Sequence, residues 1–93
     1  MDLTELRQRI DAIDAQMVEL FEQRMDICGQ VAEYKIAVGK NVFDKTREAE
    51  KLAKVRSLAH NEFNGFCTVE LFEQIMSMSR KLQYRLLTEN GRL

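Results

Sequence analysis

The sequence predicts an all-α chain: three helices, one long and two shorter, that pair with a second copy of the chain as an intertwined homodimer. Three observations lead there. Apolar residues recur in steps of three and four from Leu3 to Val38, about 36 residues without a break, which is the pattern of a helix whose one stripe packs on other helices. The 93-residue chain contains no Pro, and no strand-like alternation, repeat or low-complexity stretch interrupts the helical period. Finally, a helix of that length spans about 54 Å, whereas a compact domain of this size is about 30 Å across. The rest of one chain cannot cover such a helix, so a second copy is expected to cover the remainder.

The first helix opens with Asp2 and Glu5, spaced as a capping box. Its stripe reads Leu3, Leu6, Ile10, Ile13, Met17, Leu20, Arg24, Ile27, Val31, Tyr34 and Val38. Arg24 breaks it. A guanidinium keeps its charge, and burying one without an anionic partner costs several kcal/mol. Gly29, inside the pattern, leaves room for a close helix contact or a ligand, and Gly39 is a natural stop.

After the connection Lys40 to Phe43, Asp44 is the expected N-cap of a second helix running to about Asn61, with a thin apolar face of Ala49, Leu52, Ala53, Leu58 and Ala59. Asn61 to Cys67, centred on Asn64-Gly65, reads as a loop, and Thr68 as the cap of the third helix. That helix carries Phe72, Ile75, Leu82 and Leu86 as a stripe, with Ser79 in the missing place and Gln83 one turn on. The tail from Thr88 to Leu93 is expected to fray.

Composition narrows the chemistry. One domain, residues 1–93, is all that this length allows. A formal charge of −1 gives no general attraction to nucleic acid, so any cationic site is local. Cys28 and Cys67 lack paired-cysteine spacing and His60 is the only histidine, which indicates neither a disulfide framework nor a metal cluster. No run approaches the roughly 18 apolar residues of a membrane span and the N-terminus has no leader-like apolar region, so a cytoplasmic chain is expected.

Arg24 and Lys35 are eleven residues apart, three turns plus about 20°, so they lie nearly in line about 16 Å apart and can converge on one ligand. Arg7 lies 17 residues before Arg24, about 25 Å along the helix and about 100° around it. It cannot serve the same pocket in its own chain, but a partner's Arg7 could. Asp44, Arg47 and Glu48 share a face at the opening of the second helix. With Ser79 and Gln83 the set has cations, carboxylates and neutral hydrogen-bonders but no nucleophile paired with a base. It suits a small polyanion that carries a hydroxyl. Taken singly, Arg7, Arg47 and Glu48 are what any solvated helix face carries, Asp44 is a cap, Ser79 and Gln83 could fix helix register, and Arg24 could pair with an internal carboxylate such as Glu73. Their conjunction is what points to a ligand.

The segments LRQRID, EQRMDICGQVAEYK, VFDKTREAE and SRKLQ, in that order and spacing, resemble the all-helical (AroQ-type) chorismate mutase family over nearly the whole chain. The resemblance implies a six-helix dimer with two active sites, in which chorismate rearranges to prephenate without metal or organic cofactor. It implies that Arg24 and the other chain's Arg7 hold substrate carboxylates, helped by Arg47 and Ser79. Lys35 and Gln83 would donate to the ether oxygen, and Glu48 with the backbone at Asp44 would accept from the ring hydroxyl. A lyase that splits isochorismate to salicylate and pyruvate is similar in fold and site residues. A non-enzymatic helical dimerisation module, with Arg24 setting register, is the reading from a different class.

Overall fold

The computed structural model describes residues 2–89. It contains three helices, α1 Leu3–Val38, α2 Lys45–Leu58 and α3 Glu62–Glu89, and no strand among the described residues. α1 has the expected limits. Asp2 caps it by accepting from the Glu5 N–H at 2.8 Å, and Gly39 ends it at φ 73°, a left-handed conformation that suits a residue without Cβ. The Lys40 N–H returns to the Lys35 carbonyl at 2.9 Å and satisfies one of the last free acceptors of the helix.

α2 begins where Asp44 predicts, its carboxylate accepting from the Arg47 N–H at 3.0 Å. It stops at Leu58, short of the expected Asn61, because Ala59 adopts an extended conformation. The residue it buries is Val55, not Leu58, which is 62% exposed.

The expected loop from Asn61 to Cys67 is helix. Asn61 is the cap, its side chain accepting from the Asn64 N–H at 2.8 Å, and Thr68 lies inside α3. Gly65 belongs to the helix for a steric reason: a Cβ there would come within 3.4 Å of Arg56 Cγ and 3.7 Å of the Arg56 carbonyl. The Asn-Gly pair therefore marks a close approach between α2 and α3 instead of a turn. Arg56 stacks over Phe66, 4.6 Å from the ring centre, across the same corner. At the far end Thr88 and Glu89 are helical, with Glu89 paired to Arg85. The rest of the tail expected to fray, residues 90–93, lies outside the described residues.

α3 packs against both α1 and α2, and α1 and α2 do not pack on each other among the described residues. Ala32, Val42, Val55 and Met76 form a small core around this seam. Gly29 is not needed for an approach within the chain, since a Cβ there would meet Leu86 Cδ1 at an ordinary 4.0 Å.

The chain is extended, 55 × 26 × 15 Å with a radius of gyration of 16.6 Å, against about 12 Å for a compact chain of this length. Its accessible surface is 7352 Å², compared with about 5,600 Å² for a compact monomer of this mass. The excess is apolar: Leu3, Leu6, Ile10, Ile13, Met17 and Leu20 are between 41% and 62% exposed. No helix among the described residues is long and apolar enough to cross a membrane.

The two assignments of the α3 cap differ in measurable stability. Asn61→Ala is expected to cost about 1 kcal/mol by losing the cap, whereas Thr68→Ala, mid-helix, changes little. Urea denaturation at one fixed protein concentration distinguishes them.

Candidate active site

Because α1 and α2 both rest on α3 without touching, a cleft lies between them. It forms a cavity of about 200 Å³ with α3 as its floor, and Val42 of the connection lines one side. α1 contributes Arg24, Cys28, Val31 and Lys35, and the first turns of α2 contribute Arg47, Glu48 and Lys51 beside the cap residue Asp44. α3 contributes Met76, Ser79, Arg80 and Gln83. Seven of the eight residues singled out in the sequence thus meet in one place. Arg7 does not line the cavity of its own chain and is exposed on α1.

Arg24 is held from two sides. Its Nη1 donates to Ser79 Oγ at 2.8 Å, and Ser79 Oγ in turn donates to the Ile75 carbonyl at 2.9 Å. The guanidinium also lies over Phe72, 5.9 Å from the ring centre, and 3.7 Å from Cys28 Sγ. The internal pairing with Glu73 does not form; among the described residues Arg24 has no carboxylate partner. A half-buried guanidinium with neutral partners keeps most of its attraction for an anion.

Lys35 is aimed by the connection, its Nζ donating to the Val42 carbonyl at 2.8 Å. An ammonium has three donors, so two stay available. Asp44 spends one carboxylate oxygen as the cap of α2. Glu48 forms an ion pair with Arg80 through Oε1, and its second oxygen has no hydrogen-bond partner among the described residues. Gln83 is 7% exposed and its amide oxygen is buried with no partner. Leaving such an acceptor unsatisfied costs about 1–3 kcal/mol, and only a hydrogen-bond donor removes that cost.

The charge of the lining is one-sided. Arg24, Lys35, Arg47, Lys51 and Arg80 face the cavity against only Asp44 and Glu48, although the whole chain carries −1. Only Arg80 among those cations has a carboxylate partner within the described residues. The lining is thus predominantly cationic, with the carboxylates of Asp44 and Glu48 and the Gln83 amide set into it, and no cluster of possible metal ligands occurs among the described residues.

Residues 6–84 match the family described as "Chorismate mutase type II". The chain belongs to the type II chorismate mutase family. The matched segment contains every cavity residue and Arg7. Within the family's reach, the chain is similar to the chorismate mutase of Methanocaldococcus jannaschii, 29% identical over 89 residues, which cover 94% of this chain and 89% of that protein. It is also similar to the T-protein of Enterobacter agglomerans, 34% identical over 58 residues, 62% of this chain. The match takes in only 16% of the T-protein's own length.

Sequence reasoning missed Arg80. The signal was present: Arg80 lies four residues after Met76 and three before Gln83, so it shares their face of the helix. Next to Ser79 it was read only as part of the SRKLQ segment, because nothing local ties it to Glu48.

Proposed function

We propose that this chain is a chorismate mutase, converting chorismate to prephenate by a [3,3]-sigmatropic rearrangement. The observation that carries the reading is the cavity: one set of unneutralised cations, a carboxylate and an unsatisfied amide converge there from three helices. A dicarboxylate with a ring hydroxyl and an ether oxygen is the complement of that set. Family membership supplies the reaction.

The rearrangement breaks a C–O bond and makes a C–C bond in one step, with no proton transfer and no covalent intermediate. The protein therefore holds and polarises. Arg24, kept in place by Ser79, takes one carboxylate, and Arg47 assists. Clamping both carboxylates draws the flexible substrate into its compact, chair-like conformer. As the C–O bond lengthens, negative charge grows on the ether oxygen. Lys35 and Gln83 donate there, and donors already aimed at that charge stabilise the transition state more than the ground state. Gln83 Oε1 has no hydrogen-bond partner among the described residues, so in this reading the amide turns its NH₂ to the ether oxygen. Glu48 and the backbone at Asp44 accept from the ring hydroxyl. These effects together must supply at least about 8 kcal/mol for an ordinary enzymatic acceleration. No metal or organic cofactor takes part in this reading.

A second copy completes the site. The bare stripe from Leu3 to Leu20 is what an intertwined six-helix homodimer would cover, and it would bring the partner's Arg7 to the second carboxylate. A small core favours the same arrangement. The reading takes 1–93 as one catalytic domain and places it in the cytoplasm, in keeping with two free cysteines.

Loss of chorismate absorbance in the ultraviolet on adding the purified chain tests the activity. An unchanged spectrum overturns the proposal, and release of salicylate from isochorismate in its place would make the chain a lyase.

Arg7→Ala and Arg24→Ala chains are each expected to be nearly inactive, yet to recover about a quarter of parental activity when refolded together. Half of the randomly mixed dimers then carry one intact site. No recovery, with exchange verified by mass-tagged chains, places Arg7 in its own chain's site or outside the mechanism.

Gln83→Glu is expected to make activity fall as pH rises. Only the protonated acid donates to the ether oxygen; the ionised form repels the charge that develops there. Rates of variant and parent from mildly acidic to mildly basic solution give the comparison, and a variant with the parent's pH profile removes Gln83 from the mechanism.

A further inference from the structure

Glu48 owes its position to α3, not to its own helix. Arg80 Nη1 forms an ion pair with Glu48 Oε1, and the same guanidinium lies over Phe43, 5.3 Å from the ring centre. The pair is partly shielded, with side chains 29% and 22% exposed. One guanidinium thereby ties three pieces of chain together: the floor helix, the first turn of α2 and the connection that precedes it.

The geometry leaves a specific remainder. Oε1 is occupied by Arg80, while Oε2 has no partner among the described residues and belongs to a residue that lines the cavity. A Glu at the opening of a helix otherwise swings through several rotamers in solvent. Fixed at one oxygen, it presents the other in one direction. The contact with the Phe43 ring gives the guanidinium a second fixed neighbour beside Glu48, and a flexible ammonium lacks the planar fork that meets both.

We propose that Arg80 is a positioning residue that aims the free oxygen of Glu48 at the substrate's hydroxyl and so sets the preference for a hydroxylated ligand. This rests on the mutase reading, in which Glu48 accepts from the ring hydroxyl. Arg80 need not touch the substrate to act. Its contribution is confined to the one contact that an analogue without the hydroxyl cannot make.

The test compares chorismate with its analogue lacking the ring hydroxyl, using the full chain. The readout is the ratio of kcat/KM for the two substrates, from which any loss of folded protein cancels. Arg80→Met is expected to reduce that ratio roughly tenfold, the order that a hydrogen bond to a charged acceptor supplies, with the loss carried mainly by the hydroxylated substrate. Adding Glu48→Gln to Arg80→Met should then change the ratio little, although Glu48→Gln alone changes it strongly. Should Arg80→Met fail to fold, Arg80→Lys keeps the charge but loses the stacked fork, and a smaller fall of the ratio is expected there. Equal losses on both substrates, or a ratio that Arg80 variants leave unmoved in an active enzyme, overturn the inference alone. A parent inactive on chorismate overturns the mutase reading and this inference with it.

Discussion

A helix of 36 residues in a chain of 93 cannot be buried by what remains. Of the other two helices, of 14 and 28 residues, only α3 packs against α1, and the apolar stripe of α1 from Leu3 to Leu20 stays bare. This single mismatch of length explains the 55 Å long axis, the excess surface and the small core. It also explains why α3 holds the fold together. With α1 committed to its full length, α3 is the element on which both other helices rest, and the cleft between them stays open as the site.

Electrostatics follow from the same layout. Four of the cavity's cations have no carboxylate partner among the described residues, so like charges face one another across a half-buried space. That arrangement costs the chain stability by itself, and an anion placed between these charges would be met from several sides at once. Ser79 and Phe72 make it tolerable for Arg24 by offering a neutral acceptor and an aromatic face in place of a counterion.

The connection between α1 and α2 is short but is not a passive linker. Val42 packs into the core and its carbonyl aims Lys35, while Phe43 supports Arg80. Gly39 makes this possible by turning the chain in a conformation that other residues rarely adopt. Cavity-lining side chains on α1, α2 and α3 are therefore referenced to one six-residue turn, and a shift there would move several of them together.

The sequence by itself determined what depends on local order along the chain. The period of α1, the caps at Asp2, Asp44 and Gly39, and the odd Arg24 in an apolar stripe were all legible, because helix propensity, capping and amphipathic spacing act over a few residues. Seven of the residues that line the cavity were legible too, since their spacing along helices fixes which faces they share; Arg80 was not among them. The start of α3 was not: Asn64-Gly65 carries the local signature of a turn, and only the nearness of Arg56 explains a glycine inside a helix. Tertiary structure also decided which cation is neutralised. Arg80 and Glu48 are 32 residues apart and Arg24 and Glu73 are 49 apart, both far beyond the reach of helical spacing, and no periodicity ranks one such pair above another. Ion pairing between helices depends on how they pack, and packing is set by apolar contacts summed over the whole chain, not by the charges themselves.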